Sequence, residues 1–280
     1  MPDPEHRWRL RTADLDLSGG ALMGVLNVTP DSFSDGGLHL DPVAAVSHGL
    51  IMAQQGAKII DVGGESTRAG SEPVLDRVEM ERVLPVVEGL CREGVTVSID
   101  TSKPVVAEAA FSRGAEILND VKACREPGMA ELVAEVGCGV VLMHMRGTPK
   151  DMHLDPRYDD VVAEVEEFLV ERMERVTAAG VDPSSIVIDP GIGFGKTLDH
   201  NLSLIRGLNS LTRHAPVVLG ASRKRFLGTL TGASSPVDRD LATAVTTVVG
   251  FLNGARVFRV HDVASSRQAL ALTAAIVASQ

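Results

Sequence analysis

The stretch QQGAKIIDV, Gln54–Val62, holds a helix end, a glycine and an apolar strand in nine residues. The same pattern returns as SRGAEILND at Ser112–Asp120 and as LNGARVFRV at Leu252–Val260. In each, a polar helix tail runs into glycine, where a left-handed stop favours a residue without a Cβ. Alanine and a short apolar run follow. Runs that are continuously apolar rather than alternating mark strands buried on both faces, as in a parallel sheet.

Eight such runs are expected along the chain, at Leu22–Leu26, Lys58–Val62, Thr96–Ile99, Glu116–Leu118, Val140–Met143, Ile186–Ile188, Pro216–Leu219 and Arg256–Val260. Eight helical patterns follow them, over about Pro42–Gln55, Asp76–Cys91, Pro104–Arg113, Gly128–Glu135, Asp160–Ala179, Asp199–Leu208, Val237–Leu252 and Ala264–Ala278. Asp41-Pro42 and Lys103-Pro104 place proline at the first helical turn, where its missing N–H costs nothing. Eight βα units in one chain predict an α/β fold of the (β/α)8 TIM-barrel type. An open doubly wound sheet is the alternative, weakened because no GxGxxG follows the first strand. We expect one barrel domain over residues 21–280, with residues 1–20 as an N-terminal extension against the barrel bottom.

Composition is that of an ordinary globular chain. The chain has 280 residues, 44% apolar and 23% charged, and a net charge of −10. Disorder and collagen-like repeats are excluded. The acidic balance disfavours nucleic acid or an anionic membrane as partner, and aromatic residues are only 3%. A local basic site for a small anion is compatible with it. Cys91, Cys124 and Cys138 form no CxxC pair, which predicts a reduced, cytoplasmic chain. Met1–Asp14 is charged, so we expect no secretory signal, and no apolar run is long enough to span a bilayer.

In a barrel of this kind, chemistry collects at the carboxyl ends of the strands. The first run leads to Asn27 and Thr29–Gly37, the second to Asp61–Arg68, the third to Asp100-Thr101-Ser102 and the fourth to Asn119-Asp120. The fifth ends in Met143–Arg146, the sixth in Asp189-Pro190-Gly191, the seventh in Ser222–Arg225 and the eighth in Arg259–Asp262. Arg68, Lys224, Arg259 and His261 together suit an anion. Asp100, Asn119 and Asp189 suit a ring that donates and accepts hydrogen bonds. Single signals are weaker. DPGIGFGK, Asp189–Lys196, lacks the full phosphate-loop spacing, and the histidines lack HExxH. Glu65 fits a general base or a structural pair with an arginine equally well. Asp61, inside its strand, reads as structural.

The strings MGVLNVTPDSFSDGG (Met23–Gly37), DVGGESTR (Asp61–Arg68), SIDTSKP (Ser98–Pro104), LNDV (Leu118–Val121), MHMRGTP (Met143–Pro149), DPGIGFGK, GASRKRFLG (Gly220–Gly228) and FRVHDV (Phe258–Val263) resemble the dihydropteroate synthases, in that family's order. The resemblance implies condensation of 6-hydroxymethyl-7,8-dihydropterin diphosphate with 4-aminobenzoate, giving 7,8-dihydropteroate and diphosphate in folate biosynthesis. It implies a Mg²⁺ cofactor and a homodimer. Asn27 would lie near Mg²⁺ and the diphosphate. Thr67, Arg68, Arg259 and His261 would bind diphosphate. Asp100, Asn119, Asp189 and Lys224 would read the pterin, and Met143 and Phe194 would line its faces. Catalytic roles would fall to Lys224, Arg259, His261, Asp35 and Phe33. Phe33, with loops holding Asp31, Asp35 and Ala69, would close over the substrate and shape the aminobenzoate site.

Two positions depart from the family pattern. Arg68-Ala69-Gly70 stands where Arg-Pro-Gly is usual, which loosens that loop. Lys122-Ala123-Cys124 stands where small residues are usual; we expect Lys122 in solvent rather than on the diphosphate, and Cys124 to be passive. The alternatives are a pterin-binding methyltransferase-type barrel, which would not need Arg68, Lys224, Arg259 and His261 together, and a catalytically silent pterin-binding paralogue. Arg259 and His261 flank Val260, so in a strand both face one side. A structural pair of Arg259 with Asp262 or Glu65 competes with the anion role.

Overall fold

A computed structural model of the protein describes residues 6–29, 41–67 and 70–279. The loop expectations on Asp31, Phe33 and Asp35, and those on Arg68 and Ala69, lie outside the described residues.

Strands β1 (Arg7–Arg9) and β2 (Asp14–Asp16) form an antiparallel hairpin. The eight expected strands follow as β3 (Ala21–Asn27), β4 (Ile59–Gly63), β5 (Val97–Asp100), β6 (Ile117–Asp120), β7 (Gly139–Met143), β8 (Ile186–Asp189), β9 (Val218–Leu219) and β10 (Val257–Val260). All pair in parallel, in the order β8-β7-β6-β5-β4-β3-β10-β9. The ring closes where Ile188 bridges Val217 and donates its N–H to Pro216 O at 3.0 Å. This is the (β/α)8 barrel, not the open sheet.

The outer layer contains α1 (Pro42–Gln55), α2 (Asp76–Arg92), α3 (Pro104–Phe111), α4 (Met129–Val136), α5 (Val161–Ala178), α6 (Leu198–Arg206), α7 (Leu208–Leu211), α8 (Arg225–Thr231), α9 (Asp240–Leu252) and α10 (Val263–Ala278). Local chemistry sets the bounds of α1. Asp41 accepts the Val43 N–H at 2.9 Å, Pro42 opens the first turn, and Gly56 closes the helix at φ 110°. Three details differ from expectation. The helix expected at Asp199–Leu208 breaks at Gly207 into α6 and α7. Val237–Arg239 is a 3₁₀ turn leading into α9. Helix α8 was not anticipated.

Side chains alternate along each strand between the barrel lumen and the helix layer. Phe258 and Val260 join the core under the helices, with Val97 and Ile99 from β5. Val257 turns inward, where it meets Met23, Ile59, Ile117, Val141 and Val187 as a dry floor. The hairpin seals this floor from below with Trp8, Leu10 and Leu17. The indole N–H of Trp8 donates to Ser185 O at 2.8 Å, so the buried ring keeps its polar atom satisfied. Gly139 permits this contact, because a Cβ there would lie 2.8 Å from Leu10 and 3.1 Å from the indole nitrogen. Among the described residues no helix is long and apolar enough to cross a membrane.

Candidate active site

Above the apolar floor, the next inward position on several strands is polar. Asp61 follows Ile59, Asn119 follows Ile117, Asp189 follows Val187 and Arg259 follows Val257 two residues on. Asp100 ends β5 on the lumen side, since its neighbours Val97 and Ile99 belong to the helix-side core. The barrel thus changes from apolar to charged within one layer, toward its carboxyl end.

Arg259 organises this layer. Its Nε donates to Asp61 Oδ2 at 2.6 Å and its terminal nitrogen to Asp100 Oδ2 at 2.7 Å. Asn119 Nδ2 donates to the same Asp61 oxygen at 3.0 Å. These partners correct the competing expectation: Arg259 pairs with neither Asp262 nor Glu65. Asp61 keeps the structural role expected of it, as the fully buried counter-ion that orients Arg259 and Asn119. A guanidinium has five N–H donors, and two are used here, so donors remain for a ligand.

Burial raises the Asp100 carboxyl well above the usual carboxylate range; Arg259 opposes this, and Asp61 adds to it. Burial also raises Asp189, against the Gly191 N–H that donates to its Oδ1 at 2.6 Å. Its Oδ2 lies beside Gly220, where a Cβ would come within 3.4 Å.

The loop after β8 is built on glycine. At Gly191, φ is 67°, and a Cβ would fall 1.9 Å from His144 O, so no other residue fits. The loop brings Phe194 against Met143, Met145, Met152 and Val121 in one small apolar cluster. The Lys224 ammonium sits 3.9 Å from the centre of the Phe194 ring. Its neighbour Arg223 has φ 58° and makes a two-point pair with Asp240 at 2.7 and 2.8 Å. Lys196 was not singled out in the sequence. It is half-buried, with Nζ 3.0 Å from both His144 Nδ1 and Phe194 O, and desolvation pushes its pKa down to about 7. Burial, with Lys196 next, pushes His144 down to about 3, so its ring is neutral and its Nδ1 accepts from the lysine.

His261 stands just beyond β10, two residues after Arg259. Its Nδ1 lies 2.9 Å from Ser222 Oγ, and its backbone N–H donates to that oxygen at 3.1 Å. Ser222, expected at the seventh strand end without a role of its own, therefore orients His261. Asn27 ends β3, opposite Gly63 in the register, and Thr67 lies in the loop beyond β4.

The β4 loop is clamped. Lys103 Nζ donates to Glu65 Oε2 and Glu79 Oε2, each at 2.6 Å, and to Val74 O at 2.7 Å. Glu65 also accepts the Val74 N–H at 3.0 Å. The partner of Glu65 is thus a lysine, not the arginine considered above. In the Lys122-Ala123-Cys124 turn, Asp120 accepts the N–H groups of Lys122 and Cys124, each at 2.8 Å. Lys122 is paired with Glu126 at 2.6 Å on the surface. Cys124 is buried, and burial pushes its thiol well up, which makes it unreactive.

A family model described as "Pterin binding enzyme" matches residues 23–261. A dihydropteroate synthase of Mycobacterium leprae is 51% identical over 269 residues, covering 93% of this chain and 95% of that protein. One from Escherichia coli is 45% identical over 270 residues, covering 95% of each. Among solved structures, a Xanthomonas albilineans dihydropteroate synthase with 4-aminobenzoic acid has a TM-score of 0.92 at 45% identity, covering 98% of each chain. The same organism's enzyme in complex with 7,8-dihydropteroate has a TM-score of 0.89 at 43% identity, covering 97% of this chain and 99% of that one.

Proposed function

The chain belongs to the dihydropteroate synthases, within the pterin-binding enzymes, and from that premise we propose roles for the residues of its barrel mouth. The reaction joins 6-hydroxymethyl-7,8-dihydropterin diphosphate to 4-aminobenzoate. The methylene C–O bond breaks and its electron pair leaves with diphosphate. The arylamine nitrogen forms the new C–N bond and loses a proton.

Asp189 and Asn119 read the pterin edge. A pterin presents an amino group and a ring N–H side by side, and a carboxylate accepts both as charge-assisted bonds. Asp100 completes that wall, and Lys224 donates to the ring carbonyl. Met143 and Phe194 supply the apolar faces. Arg259, His261, Thr67 and Arg68 hold the diphosphate and stabilise the charge that grows on the leaving oxygen. Phe33 and Asp35, with the loop that carries them, exclude water from the electron-poor methylene. The arylamine is weakly basic and attacks as a neutral nucleophile, so no strong base is required.

A bound Mg²⁺ would neutralise diphosphate charge. The donor set fits this use. Among the described residues no cluster of three or more metal-ligating side chains occurs. Mg²⁺ commonly takes only one or two protein oxygens and completes its shell with phosphate and water. The Asn27 amide oxygen, at the end of β3, is the candidate ligand.

We also assign a homodimer through α9 and α10. Leu241, Val245, Val249 and Leu252 recur at helical spacing along α9 and are 40–76% exposed, beside exposed Leu272 and Ile276 on α10. Such a continuous apolar stripe suits a subunit contact. A cytoplasmic location follows from the same reading.

The observation that carries the site assignment is the polar layer of Asp100, Asn119, Asp189 and Arg259 directly above the dry barrel floor. Calorimetry with the free pterin tests it. Asp189→Asn turns an amide NH₂ toward the ring donors and should weaken binding by about 1–3 kcal/mol. In the unaltered protein, binding should weaken as pH falls through a range above the ordinary carboxylate value of 3.8, because the raised Asp189 protonates there. The variant should lose that dependence on Asp189. Unaltered affinity in Asp189→Asn would refute the role.

A further inference from the structure

A second charged site lies at the opposite end of the barrel. Between the β1–β2 hairpin and the amino ends of β8, β9 and β10 is a cavity of ≈ 980 Å³. Its wall includes Arg7, Arg9, Arg213, His214 and Arg256, with Asp14 as its one acidic lining residue among those described. In a chain of net charge −10, that imbalance is local and specific.

The cations are not equally satisfied. Arg7 pairs with Asp14 at 3.1 Å, and Arg9 with Asp182. Arg213 and His214 share the single carboxylate of Glu166. Arg256 has no carboxylate among the described residues. One of its terminal nitrogens donates to Ala255 O at 3.0 Å and Phe251 O at 3.2 Å, and its guanidinium lies 4.6 Å from the Phe251 ring centre. Its Nε is buried without an acceptor, and so is the Nε of Arg7. Both arginines line the cavity, and each is left with N–H groups that the protein does not satisfy. Burial alone, with no opposing carboxylate, lowers the pKa of Arg256.

We infer that this cavity at the barrel foot binds a small anion of the phosphate class, held by Arg256 and Arg7 with Arg9, Arg213 and His214 around it. Planar guanidinium groups match the oxygens of phosphate in a two-point fashion, which a ring of lysines would not. The cleft is open to solvent on one side, so it admits the phosphoryl group either free, as diphosphate, or carried by a small organic group. The site faces away from the barrel mouth, since Arg256 precedes β10 and Arg259 lies at its other end.

The test uses the full chain and titrates inorganic diphosphate, ribose 5-phosphate and, at matched ionic strength, chloride. Calorimetry measures binding, and emission of Trp8 locates it. Trp8 is the single tryptophan of the chain, lies between Arg7 and Arg9, and is bonded to Ser185 beside the lining Ser184. Two variants are compared. Arg256→Gln removes the unpaired cation. Thr212→Glu leaves every arginine in place and puts a carboxylate into the cavity wall. The expected result is saturable binding with a change in Trp8 emission, weakened roughly tenfold or more in both variants. Turnover of the variants should stay within about twofold of the unaltered protein, because neither residue is at the mouth. A response to diphosphate alone assigns the free anion; a tighter response to ribose 5-phosphate assigns the carried one. A chloride response equal to that of both phosphates, no saturable Trp8 change, or unaltered phosphate affinity in the variants would overturn the proposal.

Discussion

At the scale of single residues, Arg259 is the pivot of the mouth. It neutralises Asp61 and Asp100 and, on the proposed reading, still offers N–H donors to the diphosphate. Deleting its charge would strand buried carboxylates, at about 3–5 kcal/mol. Arg259→Lys is therefore the cleaner probe. An ammonium keeps the charge but lacks the planar fork that spans both acids and an anion. Turnover should fall by roughly two to three orders of magnitude while the free pterin binds within about threefold of the unaltered protein. Steady-state kinetics and calorimetry on one preparation decide this, and full turnover in Arg259→Lys would remove the anion role. This arrangement was only half legible beforehand. Arg259 stood out at a strand end, but Asp61 lies 198 residues earlier in the chain, and nothing local to either shows that they meet. Closure of the barrel alone brings them together.

Among the elements, those with a strong local signal were found where expected. Continuous apolar runs between glycine stops gave β3 to β8 and β10 within a residue or two. Weak signals failed for physical reasons. Helix α8 is seven residues long and contains Gly228 and two threonines, so its local propensity is low and tertiary contacts decide it. Strand β9 has two residues, because Val217 forms an isolated bridge to Ile188 that closes the ring. The clamp on the β4 loop was also hidden: Lys103 read as a residue before a helix, yet it joins Glu65, Glu79 and Val74. Glu79 is almost wholly buried, so Lys103 is the cation that makes its charge tolerable. Burial lowers the Lys103 pKa, but the bonds to Glu65 and Glu79 outweigh it and raise the value. Lys103→Met should loosen both ends of the loop that carries Thr67. The Michaelis constant for 4-aminobenzoate should rise more than that for the pterin diphosphate, and Lys103→Arg should restore much of the loss. Equal changes in both constants would mean that the clamp serves stability alone.

For the whole molecule, the barrel separates three tasks. The hairpin and its dry floor close one end, the polar layer forms the mouth at the other, and α9 with α10 offers an apolar flank. If that flank is the subunit contact, Val245→Asp should reduce the sedimenting mass from twice the 29.6 kDa chain to once, with the barrel still folded. An unchanged mass would place the contact elsewhere or remove it. On the proposed reading the mouth couples two events: diphosphate leaves because an arylamine takes its place. The most direct measurement follows diphosphate release and 7,8-dihydropteroate formation together, with the pterin diphosphate present and 4-aminobenzoate supplied or withheld. Coupling predicts equal amounts of both products when 4-aminobenzoate is present and negligible release when it is withheld. Release that is indifferent to 4-aminobenzoate, or pterin binding with no release under either condition, would contradict it.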